Sequence, residues 1–194
     1  MKTEPQTMIS AQAAPASRKV LLIGCGTRRT LDFDANRDQP FTLTTLDLVP
    51  SHKPDIVWDL NVCPWPIEDN SYDEIHGYEI LEHLGAQGHA YSFFEQFKEI
   101  YRILKPGGMF VGSCPRWDSV WAWGDPSHVR IINEGTLHFL DAVGYDDVGK
   151  TAQTDFRHIW NGDLSKIEVV KSEHQMLFRL HAHKPSRRPD WVTS

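Results

Sequence analysis

Residues 20–29 read VLLIGCGTRR. An apolar run stops at Gly-Cys-Gly, which is how a central strand buried on both faces looks when it ends in a tight turn. Glycine there lets the backbone approach a ligand closely. We read the strand as residues 18–24. The arginines at 28 and 29 stand where a dinucleotide loop, G-x-G-x-x-G opening a helix, needs a further small residue. The stretch on to Pro40 carries Asp32, Asp34 and Asn36 with little apolar periodicity. A nicotinamide cofactor loop is therefore disfavoured.

Outward from this turn, FTLTTLDL (41–48) gives a second strand ending at an acid, and DIVW (55–58) a third, followed by Asp59. Only about seven residues separate these two strands, too few for a crossover helix. CPWPIEDNSY (63–72) is a loop rich in breakers. DEIHGY (73–78) is a fourth strand, with a helical turn expected over 79–84. Ala90, Phe93, Phe94, Phe97, Ile100, Tyr101 and Leu104 recur at spacings of three and four, which predicts a helix over 88–104. Lys-Pro-Gly-Gly (105–108) stops it, and MFVGS (109–113) is a fifth strand. A short helix capped by Asn133 is expected over 133–143. The segment 153–183 reads as two strands around NGDLS (161–165). Alternating strands and helices with a terminal strand pair predict a single α/β domain over 18–183. It is Rossmann-like and doubly wound, with a mostly parallel sheet and an antiparallel C-terminal edge hairpin.

Composition narrows the function classes. The chain has 194 residues, 40% hydrophobic and 24% charged, with a formal net charge of -6. The acidic balance gives no nucleic-acid footprint. The basic cluster KPSRR (184–188) is read as part of a solvated tail over 184–194. Residues 1–17 read as a disordered leader with no secretory h-region. No apolar run reaches the length of a membrane span. The three cysteines have no C-x-x-C spacing and are read as buried reduced thiols, which fits the cytoplasm. The ten histidines show neither H-x-x-x-H nor H-E-x-x-H, so no metal site is expected.

Open α/β sheets bind ligands beyond the carboxyl ends of their strands. The residues there are Gly24, Cys25, Gly26, Asp47, Asp59, Leu60, Asn61, Gly77 and Tyr78. A carboxylate such as Asp47 suits paired ribose hydroxyls because it offers two acceptor oxygens. His83 and His128 are candidate general bases, since histidine titrates near neutrality. Structural readings stand beside both: a surface or capping role for His83, and a loop-tying role for His128 with Asp125 and Arg130. Trp117, Trp121 and Trp123 read as core, a lid or a platform for a planar substrate.

The order of these motifs resembles the class I S-adenosylmethionine-dependent methyltransferases, in particular a compact Methyltransferase-11-type group. VLLIGCGTR, TTLDL, DLNVCPWPIEDNSYDEI, EILEHL and EIYRILKPGGMFVGSCP carry the resemblance, which spans about residues 18–115. It implies S-adenosylmethionine as cofactor and a small or surface-presented methyl acceptor. Gly24, Cys25 and Gly26 would flank the methionine and ribose portion. Asp47 and Leu48 would meet the ribose and adenine, and Asp59, Leu60 and Asn61 the adenine. Gly77 and Tyr78 would line the sulfonium end, with the Tyr78 ring facing the cation. The acid often found before the glycine motif is Leu22 here, and the third glycine is Arg28. Those departures keep a second reading open, a methyltransferase-like binding or assembly module without catalysis. The GYEILEH stretch lacks the acceptor loop of the DNA-methylating subclass.

Overall fold

The computed structural model describes residues 17–34, 36 and 38–190. The leader, apart from Ser17, and residues 191–194 lie outside them. Seven strands form one sheet: β1 (Arg18–Ile23), β2 (Phe41–Asp47), β3 (Ile56–Val57), β4 (Tyr72–Tyr78), β5 (Leu104–Pro115), β6 (Leu164–Lys171) and β7 (Gln175–Ala182). Their order is β3-β2-β1-β4-β5-β7-β6. The first five pair in parallel. β7 runs antiparallel to both β5 and β6, so the expected hairpin closes one edge. The order reverses between β1 and β4, and their carboxyl ends form the switch point at which open α/β sheets bind ligands.

Helix α1 (Ala90–Ile103) follows from the apolar stripe: Phe94, Phe97, Ile100 and Ile103 are buried. His89 caps it by accepting from the Ser92 N–H. These side chains meet Leu21, Ile23, Ile75, Phe110 and Trp160 in the larger core. Strand alternation sends Leu22, Tyr78 and Val111 to the opposite face, into a smaller cluster under Phe33. That face is covered by the chain between β1 and β2, which makes turns and no helix among its described residues. Two short helices complete the set, α2 (Trp121–Gly124) and α3 (Glu134–His138). No helix among the described residues is long and apolar enough to cross a membrane.

Several expectations shift. The helix read over 133–143 breaks in two, α3 and a 3-10 turn at Ala142–Asp147. The break falls where the Leu140 carbonyl accepts from Leu164 N–H and Trp160 Nε1 instead of from the next turn. NGDLS is not the hairpin turn. It leads into β6, which begins at its Leu164, and the hairpin turns at Ser172–His174, closed by Ser172 N–H to the Gln175 carbonyl. β5 begins at Leu104, directly after the helix. Cys25 and Cys114 are buried, but Cys63 is exposed.

The basic tail is docked against the domain, although Arg187 itself is exposed. Asp163 is 0% exposed, and it accepts from Arg187 N–H at 2.7 Å, Nε at 3.0 Å and an η-nitrogen at 2.6 Å. Lys184 donates to the Asn70 side chain at 2.8 Å and lies 4.8 Å from the Tyr101 ring centre. A buried carboxylate needs a counter-charge, and the KPSRR segment supplies it. The folded domain therefore extends past residue 183.

Candidate functional site

The turn after β1 uses both glycines in the left-handed region, Gly24 at φ 59° and Gly26 at φ 52°. A Cβ on Gly24 would lie 2.5 Å from the Ile80 side chain, so no other residue fits. The Gly26 N–H donates to Asp47 Oδ2 at 2.7 Å. Asp47 Oδ1 accepts from Val49 N–H at 2.8 Å and lies 3.1 Å from His52 Nδ1. Burial alone would raise the Asp47 carboxyl, but these N–H donors and His52 hold it below the usual carboxylate range. One carboxylate thus fastens the end of β1 to the end of β2.

The two arginines have local partners. Arg29 donates to the carbonyls of Gly26 (3.2 Å), His52 (2.6 Å) and Lys53 (2.8 Å), spanning both loops. Arg28 pairs with Asp32 and sits 5.1 Å from the Tyr78 ring centre. That contact corrects the expectation for Tyr78. Its ring lies on the smaller-cluster face, with Arg28 over it and Phe33 at its edge. Its hydroxyl meets His76 Nδ1 at 2.5 Å.

Sequence reasoning missed the chain of buried polar groups that continues from there. His76 Nε2 lies 3.0 Å from Glu74, and Glu74 lies 2.6 Å from Arg18, which also pairs with Asp34. The signal was present: Glu74, His76 and Tyr78 alternate along β4 and so share one face. Burial would raise Glu74, but hydrogen bonds from His76, Asn36 and Arg18 pull it down to about 2.

Around the rest of the corner, Cys25 is buried in the smaller cluster and Leu48 is 60% exposed. Asp59 Oδ1 accepts from Asn61 N–H at 2.9 Å, the Asx turn expected of such a sequence. Leu60 belongs to the core. Asn61 Oδ1 takes Gly85 N–H at 2.8 Å, tying the loop after β3 to the one after β4. Gly77 packs against Ile23 and Ile80.

His83 and His128 come together edge to face, with ring centres 4.7 Å apart. Glu82 shares the 3-10 turn with His83, and one ligating atom from each of the three residues falls within 4.8 Å of the others. The spacing argument against a metal site did not reach this group, because it is assembled from two separate loops. Arg130 ties its loop to α1 and to the segment before it rather than to His128. It turns away to Ser92, the Ala86 carbonyl and Gln96, lining an apolar cavity of about 210 Å³. Trp117, Trp121 and Trp123 are exposed rather than core.

Comparison with known proteins places this geometry. The methyltransferase-domain family matches residues 21–112. A probable S-adenosylmethionine-dependent methyltransferase of Mycolicibacterium smegmatis is 28% identical over 125 residues, covering 58% of this chain and 46% of that protein. The chain therefore spans about half the length of that relative. Among solved structures, a SAM-dependent methyltransferase from Archaeoglobus fulgidus superposes with TM-score 0.55 at 16% identity, covering 87% of each chain. The N-methyltransferase NodS from Bradyrhizobium japonicum, in complex with S-adenosyl-L-homocysteine, does so with TM-score 0.51 at 17% identity, over 86% of this chain and 79% of that one. The family match runs from β1 into β5, and the sheet is shared with these structures, so the chain is similar to the methyltransferase-domain family over residues 21–112 and has the fold of S-adenosylmethionine-dependent methyltransferases.

Proposed function

We propose that this chain binds S-adenosylmethionine across the carboxyl ends of β1, β2 and β4 and transfers its methyl group to an acceptor. The observation that carries the reading is the Gly26–Asp47 hydrogen bond. It joins the glycine turn and the strand-end acid into one corner at the switch point. The residues fit the cofactor: an ionised carboxylate has about four acceptor positions, and three are used by Gly26, Val49 and His52, leaving room for a ribose hydroxyl. Leu48 presents an apolar side chain beside it for adenine, with Asp59, Leu60 and Asn61 beyond. The backbone of Gly24, Cys25 and Gly26 runs along the methionine portion, and that of Gly77 and Tyr78 along the sulfonium end.

When bound, the cofactor supplies an electrophilic methyl group on sulfur. The protein's part is to hold the acceptor in line with it, and such positioning carries much of the rate. The free thiols fit a reducing compartment, and we place the protein in the cytoplasm. The acidic net charge favours an acceptor other than nucleic acid.

Calorimetric titration with S-adenosylhomocysteine is expected to show one site. Asp47→Ala should weaken it by about 1.5–3 kcal/mol, the usual worth of a hydrogen bond to a charged group. No binding by the folded protein, or equal binding by the variant, would sink the reading and favour a non-catalytic assembly module.

A further inference from the structure

Glu82 is 2% exposed, and neither carboxylate oxygen has a hydrogen-bond partner among the described residues. Buried carboxyls are normally paired, because an unsatisfied one costs the full desolvation of the group. Both oxygens of this one are free beside two imidazoles. His83 Nδ1 faces the Ser127 carbonyl at 3.3 Å, and His128 Nδ1 faces the Ala122 carbonyl at 3.3 Å. A carbonyl only accepts, so each Nδ1 donates to it, and in that tautomer Nε2 is the nitrogen open to a ligand. That is the arrangement by which an outer carbonyl orients a metal-ligating histidine.

We propose that Glu82, His83 and His128 form a binding site for a divalent transition-metal cation of the Zn²⁺ or Mn²⁺ class. The main chain holds the cluster together. Glu82 sits in the 3-10 turn Leu81–His83, and its carbonyl accepts Val129 N–H at 2.8 Å and Arg130 N–H at 3.2 Å. The loop carrying His128 is thereby locked against the turn carrying the other two donors. A tetrahedral cation with bonds of about 2.1 Å sets its donors roughly 3.4 Å apart. The three donors now lie within 4.8 Å of one another, so side-chain rotation would draw them together on a cation. Glu79 and Asp125 place negative charge beside Glu82, which favours a bound cation. Two nitrogens and one carboxylate suit zinc, manganese, cobalt or nickel, whereas calcium and magnesium prefer all-oxygen sites. Three protein donors leave a position for an oxygen ligand, water in the resting protein.

The site is independent of the methyl-transfer reading and is tested separately from it. Untagged full-length protein, dialysed against a chelator and then against buffer, is titrated with ZnCl₂ and with MnCl₂ by calorimetry. We expect one cation per chain, with zinc the tighter. Glu82→Gln, His83→Ala and His128→Ala should each weaken it at least about tenfold, while His158→Ala, outside the cluster, leaves it unchanged. Pulsed electron paramagnetic resonance of bound Mn²⁺ should detect two imidazole nitrogens, one lost in each histidine variant. Circular dichroism checks folding. If the buried Glu82→Gln fails to fold, the half-buried His83→Ala carries the test. Absence of one-to-one binding, or binding retained in both histidine variants, overturns the proposal. Titration of the same sample with S-adenosylhomocysteine reads the cofactor site alone.

Discussion

Asp163 and Glu82 are both carboxylates sealed from water, at 0% and 2% exposure, and the fold treats them in opposite ways. Asp163 receives the Ala142 N–H and three Arg187 donors. Burial would raise its carboxyl, but Arg187 and those N–H groups hold it below the usual range. Neither Glu82 oxygen has a partner of ordinary hydrogen-bond geometry among the described residues. Burial, reinforced by Glu79 and Asp125, pushes its carboxyl up to about 8. Equal burial therefore says little about a carboxylate's role. The partners decide it: one group fastens a chain terminus, and the other is left facing two imidazoles.

The largest expected effect is on the fastened side. Arg187→Ala strands a fully buried charge and should cost about 3 kcal/mol. For a domain of this size that lowers Tm by roughly 10 °C, measurable by calorimetry. Arg188→Ala, one residue on, removes an ion pair to Asp146 at the surface. It should leave Tm unchanged, since exposed pairs contribute little. Equal losses in the two variants would mean the tail is held by general charge rather than by the Asp163 socket.

Glu74 extends the comparison to acid. Its carboxyl lies at about 2 in the folded protein, against the ordinary 4.5. A depressed pKa contributes stability above the ordinary value, and that stability is lost as pH falls from about 4.5 through about 2. The loss should reach about 3 kcal/mol. Urea midpoints measured across that window should fall steeply in the parent and less steeply in Glu74→Gln. Parallel slopes would show that other carboxylates carry the acid sensitivity.

These groups differ in how far the sequence announces them. The parallel sheet was legible because VLLIG, TTLDL and the α1 stripe repeat a short period with local stop signals. The corner of Gly24, Gly26 and Asp47 was legible for the same reason: Asp47 ends β2, the glycines form the turn after β1, and strand ends converge at the switch point. The Asp163–Arg187 socket was not, because the tail sequence is polar and its docking depends on a carboxylate buried far upstream. The NGDLS segment misled for a related reason. Its turn-forming residues serve to present Asp163, while the hairpin uses the plain polar run Ser172–His174. The Tyr78 ring, expected to face the sulfonium, shares its face with Glu74 and His76 as strand alternation assigns it, away from Gly77. Glu82 and His83 stood out only as part of EILEHL, and nothing local ties them to His128.

The smallest effect separates a ligand site from a packing defect most sharply. Glu82→Met replaces an unsatisfied buried carboxyl with an apolar side chain of similar length. Replacing a buried polar group this way is often neutral or stabilising. In chelator-treated protein at pH 7 the variant should gain about 1 kcal/mol, opposite in sign to Arg187→Ala. A loss of similar size would mean that Glu82 is satisfied in solution by a partner other than a metal ion, and the contrast with Asp163 would collapse. A gain that reverses on adding Zn²⁺, because only the parent is then stabilised by mass action, would tie the cost of the empty carboxyl directly to the ligand it serves.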